Sequence, residues 1–267
     1  MALLVLAAIL VAVIAAAVLP RRYEASLVAL PRGSDRSALL NSLTGQLGGL
    51  AALAGLGGGE GGQRAEAIQM LQSQILAREF IEDKKLLPVL FASDWDQARQ
   101  SWRGRTRTLN DGVDYFDHRV RTVVEDRRTG LVTLRITWRD PQQAAEWANE
   151  LVRRANDRLR QRAITRSQGS IDYLKKEARN TDVVEIQQSL YRLMEDQYKS
   201  LLLANVTEDY AFSVIDPAIA ADPRGYVFPR MGLFAFGGLF FGVVLALIMA
   251  FVEAAQGPVP PEGSQRR

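Results

Sequence analysis

The chain has 267 residues, no cysteine, one histidine and a formal charge of +3, from 33 Lys/Arg against 30 Asp/Glu. Its 48% hydrophobic share is ordinary but unevenly placed: Met1–Leu19 and Met231–Val252 hold no charged residue, and Pro20–Arg230 carries 31 of the bases and 28 of the acids. That partition excludes a plain soluble protein and leaves a charged domain of roughly two hundred residues, long enough for a real core, between two apolar segments.

A helix needs about 20 apolar residues, at a rise of about 1.5 Å each, to cross a bilayer. Met1–Leu19 approaches that length and reads as a first transmembrane helix. A cleaved signal peptide, with Ala15–Ala17 as the cleavage region, is the rival reading. The segment lacks a basic n-region, however, and its apolar run is long for an h-region. Ala8, Ala12 and Ala16 recur every fourth residue and give it one face of small side chains.

Tyr23–Leu30 alternates loosely and ends at Pro31, which predicts a strand. From about Ser37, Leu39, Leu40, Leu43, Leu47 and Leu50 have helical spacing. This helix dissolves into Gly55-Leu-Gly-Gly-Gly-Glu-Gly-Gly62. Without a Gly-Lys-Ser/Thr ending or a preceding strand, the run reads as a flexible loop and not a phosphate cradle. A second helix is expected from about Arg64 to Lys85, striped by Ile68, Leu71, Ile75 and Leu76 and stopping before Pro88.

Val120–Glu125 and Leu131–Trp138 read as a hairpin across Asp126-Arg-Arg-Thr-Gly130, with Val132, Leu134, Ile136 and Trp138 on one face. Asp140-Pro141 then supplies an N-cap and a first-turn proline. Ala144, Ala148, Leu151, Ala155 and Leu159 follow at three- and four-residue steps, and the pattern continues through Ile171, Leu174, Ala178, Ile186, Leu190, Leu193 and Leu201. As one helix, residues 141–203 would run about 95 Å. A break at the weak stretch Asn180–Asp182 would make a helical hairpin instead, and the pattern leaves both open. No period of 20 to 50 residues repeats, which disfavours a solenoid.

Tyr210–Asp216 is the last expected strand. Pro217, Pro223 and Pro229 follow, and each fixes its own φ and pushes the preceding residue out of the helical region, so the segment reads as a stiff connector. Met231–Val252 is apolar on every face over 22 residues and reads as a second transmembrane helix. Gly238 and Gly242, continued by Ala246 and Ala250, are its expected packing face. Residues 253–267 form a short tail. The fold class is α+β: the first and last strands join the hairpin in a membrane-proximal mixed sheet, with long helices projecting away. The positive-inside rule would put Arg21, Arg22 and Arg230 in the cytoplasm, but long translocated loops escape that rule. Charge alone fixes no side.

Candidate chemistry is sparse. His118 lies in the polar run Asp114-Tyr-Phe-Asp117-His118-Arg119 with no accompanying nucleophile motif, and reads as a surface residue. A zinc site would have to be almost all carboxylate. No Walker lysine, dinucleotide fingerprint or EF-hand loop occurs. Asp94/Asp96 and Asp182/Glu185 are carboxylate pairs of a kind common on solvated faces. The basic runs Arg103-Gly-Arg105-Thr-Arg107 and Arg153-Arg154…Arg158…Arg160…Arg162…Arg166 are interspersed with Glu150 and Asp157, which, with the near-neutral total charge, favours a solvated helix face over a nucleic-acid or anionic-polymer surface. The expectation is a protein that is not an enzyme, has no cofactor or metal and binds no nucleic acid.

Two segments resemble the polysaccharide co-polymerases, or chain-length determinants (Wzz-type). Leu19-Pro20-Arg-Arg-Tyr23-Glu-Ala25-Ser is similar to that family's proline and tyrosine after the first span. Val214-Ile-Asp-Pro217…Asp-Pro223…Pro229-Arg230, followed by Gly237, Gly238 and Gly242, is similar to its proline-rich stretch leading into a glycine-bearing span and is the more specific of the two. The order of elements extends the likeness over nearly the whole chain. The resemblance implies a two-pass protein of the bacterial inner membrane with a periplasmic domain over 20–230. It also implies a homo-oligomeric ring beside a polymerase of O-antigen, capsule or exopolysaccharide, setting product length without catalysis. On that reading Arg153, Arg154, Arg158 and Arg162 contact glycan or a neighbouring subunit, while the connector prolines Pro217, Pro223 and Pro229 and membrane-helix packing at Gly238 and Gly242 couple the oligomer to the polymerase. Neither the cytoplasmic segment before the first span nor the Walker lysine and tyrosine-rich end of kinase-fused members occurs here. The alternatives are therefore the membrane half of a split tyrosine-autokinase pair, with a separate cytoplasmic kinase, or a capsule-export adaptor.

Overall fold

In a computed structural model, residues 19–32, 59–222 and 224–229 are described, with 232, 236–240, 242–244 and 248. The chain divides into two compact units: Glu24–Ala221, and Met1–Tyr23 together with Asp222–Arg267. In chain order the elements are β1 (Tyr23–Pro31), α1 (Gly59–Gln72), α2 (Gln74–Asp83), α3 (Leu87–Leu90), β2 (Trp95–Asp96) and β3 (Ser101–Trp102). There follow α4 (Leu109–Arg119), β4 (Arg121–Glu125), β5 (Val132–Trp138), α5 (Pro141–Asn180), α6 (Val184–Val206) and β6 (Phe212–Asp216). This is an α+β architecture with a small sheet and long helices.

The four-stranded sheet has the order β4-β5-β1-β6. As the sequence suggests, the first and last strands pair: β1 runs antiparallel to β6 with Leu30 opposite Ser213 and Pro31 opposite Phe212. The hairpin also forms, with Arg121 opposite Ile136 and Glu125 opposite Val132. Its turn is built by Asp126, whose Oδ1 accepts from the Arg128 amide (2.8 Å), and by Gly130 at φ +77°. The β5 side chains Val132, Leu134, Ile136 and Trp138 are buried, matching their alternation in the sequence. Against that face lies an aromatic cluster in which Phe80 meets Phe116 (5.7 Å between ring centres) and Trp147 (6.0 Å). Burying each such ring contributes on the order of 2–3 kcal/mol.

Several helix boundaries differ from the sequence reading. The glycine run is not loop throughout, because α1 begins at Gly59. The single helix expected over 64–85 is broken at Ser73, whose hydroxyl donates to Met70 O (2.9 Å) and accepts from Leu76 N (3.2 Å), capping α2. The break resets the helical phase, so Leu71 and Leu76 are buried while Ile75 faces out. Pro88 stands in the first turn of α3, where its missing N–H costs nothing, and does not end the preceding helix. The unanticipated α4 starts at a capping box: Asp111 N donates to Thr108 Oγ1 (3.2 Å) and Thr108 N to Asp111 Oδ2 (2.8 Å).

Residues 141–203 are two helices. Asp140 caps α5 as expected, its Oδ1 accepting from Gln142 N (2.8 Å) and Gln143 N (3.3 Å). At Asn180 the chain leaves the helix, and Thr181 and Val183 are extended before α6 begins. Gln187 Nε2 donates back to Ala178 O (3.1 Å) and Thr181 O (3.0 Å), closing an antiparallel hairpin. With 40 and 23 residues, α5 and α6 are about 60 Å and about 35 Å long.

A buried arginine joins the helices to the sheet. Arg121 Nη1 donates to Leu71 O (2.6 Å), and Nη2 to Gln72 O (3.1 Å), Ser73 O (3.3 Å) and Asp117 Oδ1 (2.6 Å). It thereby satisfies carbonyls that the end of α1 leaves orphaned. Burial raises the Asp117 carboxyl above its ordinary value, opposed by the charge of Arg121. Burial also lowers Arg121, which stays protonated because its ordinary value lies far above neutral pH.

Among the described residues no helix is long and apolar enough to cross a membrane. Residues 1–18 of the first segment read as a span, and most of 231–252, lie outside the described residues, as does the helix expected from Ser37.

Candidate functional site

The basic run of α5 is where sequence and structure meet most closely. Arg153 and Arg154 both reach Glu150, and Arg154 Nη1 also holds Asp83 of α2 at 2.6 Å while its guanidinium lies 5.5 Å from the centre of the Phe80 ring. One turn on, Arg158 grips Glu79 of α2. Arg162 lies 3.9 Å from Glu66 of α1, at the outer limit of an ion pair. These contacts zip α5 onto α1 and α2, so Arg154 and Arg158 are held by internal acids, whereas Arg162 is barely held. Arg166, next along the same stripe, has no acidic partner among the described residues.

Two clefts open along this stripe. The first, about 560 Å³, is lined by Glu66, Arg158, Gln161, Arg162, Thr165 and Arg166. The second, about 540 Å³, shares Thr165 and Arg166 and continues along Gly169, Ser170 and Tyr173, with Leu193 and Gln197 supplied by α6. Arg153 lines a separate hollow of about 470 Å³ with Lys84, Gln143, Glu146 and Trp147.

The same helix holds the last strand. Asn156 is buried; its Oδ1 accepts from Ala211 N (2.9 Å) and Phe212 N (2.7 Å), and its Nδ2 donates to Phe212 O (3.0 Å). Two turns earlier, Asn149 treats Ala218 alike, donating to its O (2.9 Å) and accepting from its N (3.1 Å). The two amides bracket β6 and Pro217, the first proline of the expected connector. These asparagines escaped sequence reasoning, although polar amides seven residues apart in an alanine-rich apolar stripe are a visible signal. In the other unit, Arg22 N donates to Phe228 O (3.0 Å) and Val227 N to Arg22 O (2.8 Å), and Phe228-Pro229 is a cis peptide. Gly238 and Gly242 are helical and buried, and Pro223 lies outside the described residues.

The remaining candidates are engaged locally. His118 is exposed in the last turn of α4. Asp94 holds Arg107, whose Nε donates at 2.9 Å, and its carboxyl is lowered chiefly by that bond. Asp96 accepts from Ala98 N and Arg99 N and faces Arg103, while Arg105 meets Asp111. The run Arg103–Arg107 is thus charge-paired throughout. Among the described residues no group of three or more His, Asp or Glu side chains is placed to hold a metal ion.

The chain matches no protein-family model and no curated protein. It is similar to a solved structure described as a full-length bacterial polysaccharide co-polymerase, over 96% of each chain at 10% identity, with a TM-score of 0.37. A likeness at that level transfers neither fold nor activity.

Proposed function

We propose that this chain is a non-catalytic regulator of polysaccharide chain length, acting as a homo-oligomer beside a polymerase or export machinery in the bacterial inner membrane. The observation that carries the reading is the sequence around Val214–Pro229, with its proline spacing ahead of Gly238 and Gly242. It is supported by the order of elements, in which the strand following the first apolar segment pairs with the strand preceding the second. Oligomerisation is supported by α6, which exposes Ile186, Leu193, Leu202, Leu203 and Val206 while burying only Met194 and Ala204. An exposed aliphatic set of this size marks a contact surface, and a second copy of α6 is its natural cover. The test is deletion of the gene followed by electrophoresis of the surface glycan: a broadened or shifted length distribution, restored by the intact gene, is expected. An unchanged distribution overturns the reading.

A further inference from the structure

The geometry points to a binding groove for an acidic polysaccharide along α5, with arginines as carboxylate receptors and Tyr173 as a stacking surface. It rests on the chain-length reading for the class of polymer and on the following placement for the site. Arg158, Arg162, Arg166 and Tyr173 fall on one stripe of the helix, spanning about 22 Å at 1.5 Å per residue. The two shallow clefts share Thr165 and Arg166 and so adjoin along the stripe. Its length suits a chain of several sugar rings and not a single small anion.

The charge pattern selects the ligand. Like charges four residues apart on a helix repel, and here the repulsion is answered strongly only at Arg158, by Glu79. Arg162 has one distant carboxylate and Arg166 has none among the described residues. Both are left to take an acceptor from outside. A guanidinium presents paired N–H donors that match a carboxylate in a plane, and neutral sugars offer no such group. Between the charges, Thr165 and Gln197 supply neutral donors and acceptors for hydroxyl groups. Tyr173 is 65% exposed, and its ring offers an apolar surface with a wet tip, which fits the C–H face of a pyranose.

The rival occupant is an acidic segment of a second copy of this chain. The alternation of cations, neutral polar groups and one aromatic ring favours the polyhydroxyl ligand, and α6 already offers the aliphatic surface that a protein contact would use.

The experiment measures binding to the full chain in detergent micelles by calorimetry. The probes are an oligoglucuronate, a neutral dextran oligomer of equal length and inorganic phosphate. Oligoglucuronate binding, weakened at least tenfold by R162Q/R166Q and several-fold by Y173A, with decline at high salt, is the expected result. R166Q alone breaks no internal ion pair, so its several-fold loss of affinity separates binding from folding. Equal binding by parent and R162Q/R166Q overturns the proposal, as does equal affinity for dextran or for phosphate alone. A fall in oligomeric mass of R162Q/R166Q without change in sugar binding would reassign the groove to a subunit contact. Binding lost in the variants while gene deletion leaves chain length unchanged would remove the chain-length reading and leave the groove standing.

Discussion

The two halves of α5 serve different surroundings. From Ala144 to Leu159 the helix buries nine residues against the sheet, α1 and α2; from Arg160 to Asn180 it buries only Ser167, Ile171 and Ala178, against α6. The first half belongs to a layer with its own core, built from Phe80, Phe116, Trp147, Leu134 and Ile136. The second half and α6 form a two-helix arm that turns most of its large aliphatics outward. Stability is thus concentrated in the layer, whereas the arm is left with surface suited to binding, and substitutions should separate the two.

The largest effect is expected from F80A. Removing a fully buried ring between Phe116 and Trp147 should cost about 3–5 kcal/mol in denaturant unfolding. A loss below about 1 kcal/mol would show that the layer is not the stable half. N156A should cost roughly 2–3 kcal/mol, because it strands the buried Ala211 and Phe212 amides. N149A, at a half-buried site, should cost less, and equal values would argue against the clamp. T108A removes the capping box of α4 and should cost about 1 kcal/mol.

In the arm, L202S/V206S should change unfolding free energy by less than about 0.5 kcal/mol per site while lowering oligomeric mass in light scattering. A large stability loss with unchanged mass would erase the contrast. The smallest effect concerns pH. Asp111 is lowered chiefly by hydrogen bonds from Thr108, and Asp126 chiefly by that from the Thr129 hydroxyl. Stability from such groups, with that from Asp94, is present above the ordinary carboxylate value near 4 and is lost as pH falls through the lowered folded values. Asp117, raised by burial, works in the opposite sense, its protonation favouring the fold on acidification. Thermal midpoints recorded from pH 6 downward should therefore fall below about pH 4. A rise there would mean that Asp117 prevails.

The parts of the fold written as local repeats were legible in the sequence. The alternation of β5, the Asp140-Pro141 cap and the alanine-leucine stripe of α5 each follow from side-chain periodicity. Pairing of β1 with β6 followed from their shared position beside the apolar segments. Harder to see was anything decided by one hydroxyl: Ser73 splits a helix and Thr108 starts one, and neither changes the apolar pattern. The run of arginines on α5 was legible, but not the sorting of Arg154 and Arg158 into internal pairs. That sorting depends on Asp83 and Glu79, more than seventy residues away in sequence. The asparagine grip on Ala211, Phe212 and Ala218 spans more than fifty residues: Asn149 and Asn156 stand out within the alanine-rich stripe, but nothing local in the sequence names the strand they hold.

That grip gives the arm a mechanical character. With Asn156 and Asn149 fastened at two points, the strand cannot slide or roll against α5 without breaking several hydrogen bonds at once. The helix runs on from Asn156 to Asn180 for about 36 Å, a lever long compared with the distance between its two fastenings. A sideways load at the far end of the arm would arrive at Ala218 as torque with little slack, and the strand would turn with the helix.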